Sequence, residues 1–209
     1  MDTRKNFIII SFYTKGFYEK IINKYLIPSL RRFNLSYYIE EIPSRKNWIL
    51  NTNLKATFCK KMLEKFPDKK LVWMDADSEI VEYPYEFDRD DYDIAINKID
   101  WLLWFYYRKN KVDIKEIVSG VIGLKNDNIV KSIVNEWIDR IYRNPYRWEQ
   151  KHLADTILAH EKELKILYLP QSYCYFNTLP NGSKPKVPFN PVIKQYQVSR
   201  QSKFDDSKL

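Results

Sequence analysis

Leu71-Val72-Trp73-Met74-Asp75-Ala76-Asp77 is an apolar run that ends abruptly in two carboxylates. The run reads as a short buried strand, with the aspartates where its C-terminal end meets solvent. In extended backbone, residues i and i+2 point to one face, so Asp75 and Asp77 stand side by side. Two like charges held close repel unless something neutralises them. A hard divalent cation such as Mg²⁺ or Mn²⁺ does so, because it prefers carboxylate oxygens. Ligands of open α/β sheets bind outside the carboxyl ends of the strands, where this pair falls. The bland alternative is an Asp-rich turn.

Working outward, the pattern around this run alternates strand and helix. Strands are expected at Phe7–Tyr13, Ser36–Ile42, Lys70–Met74, Asp93–Asn97, Glu116–Leu124 and Lys165–Leu169. Helical spacing marks 17–33, with a kink or break at Pro28, then 53–66, which stops before Pro67. It returns at 126–142, capped by Asn126-Asp127-Asn128, and at 149–161. The order β-α-β-α-β in the first half predicts an α/β single domain with a mostly parallel central sheet flanked by helices. The aromatic stretch Trp101–Tyr107 is a core element or an acceptor platform, with core packing the favoured reading. Residues after Leu169, rich in Pro, Asn and Ser, are expected to be irregular.

The 209 residues suffice for one domain with a sizeable core. Only four glycines occur, and neither a Walker loop nor a Gly-rich dinucleotide fingerprint is present. Two histidines exclude a His-rich zinc site. Cys59 and Cys174 make no disulfide scaffold, and Cys59 is expected to be a buried thiol. No run is long enough for a signal or a membrane span, so a cytoplasmic setting is expected. The net charge of +8 favours anionic partners: nucleotides, nucleic acid or acidic membrane. Half of it lies in 180–209, with six basic and two acidic residues. That segment is expected to act as a basic lid whose removal spares the fold.

Several segments, in order, resemble the GT-A-fold nucleotide-diphospho-sugar glycosyltransferases, especially family-eight-like, retaining-type enzymes. They are Ser11-Phe12-Tyr13-Thr14, Trp48-x-x-Asn51-x-x-x-Lys55 and Val72-Trp73-Met74-Asp75-Ala76-Asp77-Ser78 with the following Pro84. Ile117-Val118-Ser119-Gly120-Val121-Ile122-Gly123, Glu149-Gln150, Leu169-Pro170-x-x-Tyr173-Cys174 and 191–200 complete the series. The resemblance implies sugar transfer from a nucleoside-diphosphate sugar, commonly a uridine one, with Mn²⁺ or Mg²⁺. It implies nucleotide and sugar contacts at Ser11, Phe12, Tyr13, Thr14, Lys55, Asp75, Ala76, Ser119 and Gly120. Asp77 would be the direct metal ligand, and Asp75 would bind the ribose, the ion or both. Glu149 and Gln150 would act at the sugar, and Arg200 and Lys203 on the diphosphate. The family's closing segment carries a histidine ligand, and here Gln195 takes that place. Competing readings are a glycosyltransferase acting on a modified nucleic-acid base, a nucleotidyltransferase, and a non-catalytic nucleic-acid-binding module. The acceptor could be a glycan, a protein or modified nucleic acid.

Overall fold

The first strand, β1 (Phe7–Thr14), shows how the chain builds a layered molecule. Its neighbours alternate between two apolar layers: Ile8 and Ile10 enter one, Phe7 and Ile9 the other. The same split occurs along β3 (Lys70–Met74), where Leu71 and Trp73 face one side and Val72 and Met74 the other. A strand buried on both faces reads as a continuous apolar run, which is why both lack polar alternation. The computed structural model describes residues 6–104, 115–179 and 181–199.

Helices α1 (Phe17–Lys24) and α2 (Leu26–Arg32) cover one face through Ile22, Leu26 and Leu30. The break falls at Tyr25, and Pro28 sits in the first turn of α2, where a missing N–H costs little. Gly16, at φ 91, makes the turn from β1 into α1 in backbone that other residues rarely adopt. The opposite face is covered by α4 (Leu54–Lys65), α5 (Asn128–Arg143) and α6 (Glu149–Ala159). Asp127 caps α5, its carboxylate accepting the Val130 N–H at 2.9 Å. A short helix, α3 (Trp48–Thr52), precedes α4.

The remaining strands are β2 (Tyr37–Ile42), β4 (Ser78–Ile80), β5 (Ile94–Asp100), β6 (Lys115–Leu124), β7 (Ile166–Leu169), β8 (Tyr175–Phe176) and β9 (Ile193–Gln195). Among the described residues the main sheet runs β2-β1-β3-β6-β5-β7. Five strands share a direction, and β6 alone runs against them, antiparallel to β3 and β5. The mostly parallel α/β sheet flanked by helices is therefore what forms. The reversed β6 positions the site: its N-terminal half projects past the C-terminal end of β3. The Asp75 N–H donates to the Gly120 carbonyl at 3.0 Å, where β3 gives out.

The segment after Leu169 is more ordered than its composition suggests. β9 pairs with β4 and β8 in a small second sheet. Ile193 is fully buried and Val198 nearly so. Pro, Asn and Ser content misses this because a three-residue strand has no usable period. Part of the presumed lid is thus a structural strand. Trp101 and Trp104 are buried in a third apolar cluster with Phe176, as the core reading expects. Phe105, Tyr106 and Tyr107 lie outside the described residues.

Deleting the chain from Pro191 onward removes β9 and exposes the apolar surface beneath it, contrary to a dispensable tail. We expect the melting temperature to fall by about 5–10 °C, from roughly 2–3 kcal/mol of lost burial. Thermal unfolding followed by circular dichroism measures it, and an unchanged midpoint would show β9 to be dispensable.

Candidate active site

At the C-terminal ends of β1 and β3 the chain leaves a cavity of about 190 Å³. Its floor is built around one cation. Lys55, near the start of α4, is 3 % exposed. Its ammonium lies 2.9 Å from Asp75 Oδ1 and 2.8 Å from Glu149 Oε1. It also donates to Ser119 O at 3.0 Å and to Ser119 Oγ at 3.1 Å. Burial works against the charge on Lys55, yet the two carboxylates hold its pKa above the ordinary lysine value. The Trp73 indole N–H donates to Asp75 Oδ1 at 2.8 Å, and Ser119 Oγ donates to Glu149 Oε1 at 2.8 Å. The Trp137 indole holds the Glu149 backbone carbonyl at 3.0 Å, fixing the start of α6. Strands β3 and β6 and helices α4 and α6 thus converge on a single ammonium group.

The two aspartates differ in environment. Asp75 Oδ1 is committed to Lys55 and Trp73, while Oδ2 lies beside Gly120 and the Gln195 amide. A Cβ placed on Gly120 would come 3.4 Å from Gln195 Cδ and Oε1, and 3.5 Å from Asp75 Oδ2. Asp77 Oδ2 accepts the Val198 N–H at 3.0 Å. Burial, reinforced by Asp75, raises the Asp77 carboxyl from 3.8 to about 6. Such a carboxylate is poised to gain from a cation. Gln195 is 1 % exposed; its Oε1 accepts from Ser78 Oγ at 3.1 Å, and its Nε2 has no partner. Amide orientation is an assignment, and the orphaned end marks an unsatisfied polar group directly behind the aspartates. No cluster of three or more His, Cys, Asp or Glu side chains suited to a metal occurs among the described residues. The available set is two carboxylates, hard oxygen donors, with the Gln195 amide behind them. It fits Mg²⁺ or Mn²⁺ completed by ligand oxygens and water.

The cavity brings together most residues singled out from the sequence: Phe12, Tyr13, Thr14, Lys55, Asp75, Ala76, Asp77, Ser119, Gly120, Glu149 and Gln150. Ser11 is not on its surface. It is fully buried, and its Oγ donates to the Met74 carbonyl at 2.7 Å, tying β1 to β3. Gln195 lies behind the wall. Arg200 and Lys203 lie outside the described residues; Ser199, just before them, lines the cavity. Gln150 is held at both ends of its amide. Its Oε1 accepts the Ser119 N–H at 3.2 Å, and its Nε2 donates to Glu116 at 3.1 Å.

Several lining side chains have no place among the site residues expected from sequence, among them Tyr18, Trp48, Trp148 and Glu116. Tyr18 is on α1, and its hydroxyl is raised in pKa by burial and by the nearby Asp77 and Asp75, while a hydrogen bond with Trp48 opposes the shift. Trp48 and Trp148 form a tilted pair at the cavity, ring centroids 5.5 Å apart. Glu116 is on β6, and Glu116, Val118 and Gly120 follow the period of two that puts them on one face. That period was the usable signal for Glu116. Nothing local marks Tyr18 or Trp148. Cys59 and Cys174 are both buried and not joined in a disulfide, and burial pushes Cys59 up to about 12.

The same arrangement of elements occurs in solved glycosyltransferase structures. One is a glycosyltransferase involved in the glycosylation of the major capsid of PBCV-1. It superposes at TM-score 0.63 with 12% identity, covering 97% of this chain and 100% of the other. Another is the galactosyltransferase LgtC in complex with donor and acceptor sugar analogues, at TM-score 0.53 and 9% identity, covering 91% and 87%. The fold is GT-A. No protein-family model matches the sequence, and no curated protein matches it.

Two outcomes test this geometry. Lys55→Met leaves the buried Glu149 and the partly exposed Asp75 beside it without their counter-charge, and should destabilise the protein by about 3–5 kcal/mol in urea unfolding, chiefly through Glu149. A loss below about 1 kcal/mol would mean that the network is not buried as described. The second test concerns Asp77. Its folded pKa lies above the unfolded 3.8, so its contribution to stability declines as pH rises from about 4 to about 6. Metal-free Asp77→Asn should therefore melt higher than the parent at pH 7 and no higher at pH 4. Equal melting at pH 7 would remove the case for strain at this carboxylate.

Proposed function

We propose that this protein is a metal-dependent glycosyltransferase that moves a sugar from a nucleoside-diphosphate sugar, a uridine one in the first instance, to an acceptor hydroxyl. One observation carries the reading. In a GT-A fold, the Asp75–Asp77 carboxylate pair and a buried Lys55-Glu149-Gln150 cluster line one cavity and are joined through the Lys55–Asp75 ion pair.

Asp77 and Asp75 would hold Mn²⁺ or Mg²⁺; Gln195, behind the wall with its amide oxygen on Ser78, would back the pair rather than ligate the ion. That cation, when bound, supplies Lewis-acid stabilisation of the diphosphate leaving group. Lys55 holds Asp75 and Glu149 at fixed separation, so that neither must reorganise during the reaction. Glu149 Oε2 is buried without a partner. It is placed to accept a hydroxyl of the transferred sugar. Gln150 Oε1 keeps one lone pair beyond its Ser119 contact and faces the sugar from the same side. Gly120, with no side chain, leaves room for the sugar beside Asp75. Tyr13 and Thr14, at the end of β1, receive the nucleoside. Trp48 and Trp148 narrow the opening and limit water, which would otherwise take the sugar. Arg200 and Lys203 follow directly on Ser199 and would reach the diphosphate. In the reaction the acceptor oxygen bonds to the anomeric carbon. The bond from that carbon to the β-phosphate oxygen breaks, the electron pair leaves on the diphosphate, and the hydroxyl proton follows it.

Among the described residues no helix is long and apolar enough to cross a membrane. Buried cysteines that are not joined in a disulfide suit a reducing compartment such as the cytoplasm.

A thermal-shift series with nucleoside diphosphates tests the reading. A ligand at about 100 times its Kd stabilises the fold by about 2.7 kcal/mol, a shift of several degrees. Uridine diphosphate should raise the melting temperature with Mn²⁺ present and little without it, and Asp77→Asn should abolish the Mn²⁺-dependent part. No shift with any nucleoside diphosphate plus metal would refute the proposal.

A further inference from the structure

The cavity has two ends, and the proposed donor accounts for only one. Away from the aspartates the wall is formed by Trp101, Glu116, Val118, Cys174 and Phe176. Trp101 and Phe176 are stacked on each other, centroids 5.3 Å apart and planes 11° from parallel, within one packed apolar cluster. Glu116 is its single charged group. Its Oε2 accepts the Trp101 indole N–H at 3.0 Å, and its Oε1 accepts from Gln150 at 3.1 Å and from Lys151 at 2.7 Å. A carboxylate offers about four acceptor positions, so one remains after these three. Its side chain is 24% exposed.

The charge balance along the cavity sets what can occupy this end. Among the described residues its charged lining is Asp75, Asp77, Glu116, Glu149 and Lys55. Lys55 is consumed by Asp75 and Glu149, and Lys151 reaches Glu116 without lining the cavity. A divalent cation would answer the aspartates, but the diphosphate it holds restores the negative charge. Nothing among the described lining residues is left to answer an anion at the Glu116 end, where partial burial weakens screening.

We propose that this end is the acceptor subsite, that Glu116 is the residue that holds and selects the acceptor, and that the acceptor is an uncharged saccharide. The inference rests on the glycosyltransferase reading. The apolar wall suits the C–H face of a sugar ring, and the free acceptor position on Glu116 takes one of its hydroxyls. The Gln150 side chain links Glu116 to the Ser119 backbone beside Gly120. An acceptor held on Glu116 therefore lies next to the reacting centre. A phosphorylated sugar, a uronic acid or an oligonucleotide would bring a further anion beside the bound diphosphate and a Glu116 carboxylate whose partner Lys151 lies outside the cavity lining.

The test uses the full chain with Mn²⁺ and a nucleotide sugar that it hydrolyses slowly without acceptor. Release of nucleoside diphosphate is measured with neutral disaccharides, their phosphorylated and uronic-acid counterparts, and a single-stranded oligonucleotide. A neutral sugar should accelerate release at least tenfold, and its charged counterpart at least tenfold less. Glu116→Gln keeps the Trp101 contact and removes the charge. It should raise the ratio of charged to neutral acceptor use about tenfold, through the acceptor KM rather than the donor KM, and Glu116→Asp should restore most of the discrimination. A charged acceptor or oligonucleotide preferred by the parent overturns the subsite and leaves the glycosyltransferase reading standing, and so does an unchanged ratio in Glu116→Gln. If no nucleotide sugar is bound or hydrolysed, both proposals fall together.

Discussion

The buried ammonium of Lys55 is the contact on which the site depends. It is within 3 Å of two carboxylates from distant parts of the chain, Asp75 and Glu149. Without it, Glu149 would be buried with no counter-charge, a state that costs several kcal/mol, and the partly exposed Asp75 would repel it. With it, the end of β3 and the beginnings of α4 and α6 are drawn to one point. Ser119 completes the junction by contacting both Lys55 and Glu149. The geometry therefore exists before any ligand arrives. Preorganised charge acts on a reaction without first having to reorient.

That junction is possible because β6 runs against its neighbours. A parallel β6 would present its N-terminal half at the opposite edge of the sheet, away from Asp75. The reversed strand instead places Gly120 opposite the end of β3 and carries Glu116 and Val118 onward along the cavity. The apolar layers on both faces hold the strands in register, since a slip of one residue would exchange the two buried sets. The small sheet of β4, β8 and β9 then closes the back of the site. It brings the Val198 N–H to Asp77 and the Gln195 amide behind Gly120.

Charge in this molecule is divided by place. The chain as a whole is basic, yet the described cavity lining is predominantly acidic. The long-range field attracts an anionic nucleotide, while the local carboxylates require that it arrive with a cation. A site of this kind discriminates by what neutralises it. The raised carboxyl of Asp77 shows the same imbalance from the protein's side.

Much of this was legible in the residues alone. The apolar run ending in Asp75-Ala76-Asp77, the helical period of 126–142 and the alternation of strands and helices are local signals. They are carried by neighbours within about two turns or one strand, which is the range over which periodicity is informative. They established the α/β class, the place of the carboxylate pair and the layers that bury the strands. The aspartates, Lys55, Glu149 and Gln150 were expected together only through a resemblance in motif order. Tertiary structure decided the rest. The contacts of Lys55 with Glu149, of Ser78 with Gln195 and of Asp77 with Val198 join residues 94 to 121 positions apart. No local pattern encodes such a distance. Ser11, expected to touch ligand, turned inward because its hydroxyl found the Met74 carbonyl. Tyr18, Trp148 and Glu116 entered the cavity because of where their elements pack, and β9 formed because β4 and β8 offered it edges. A side chain's own face is set by its neighbours in sequence, whereas the groups that it meets there are set by the packing of the whole chain.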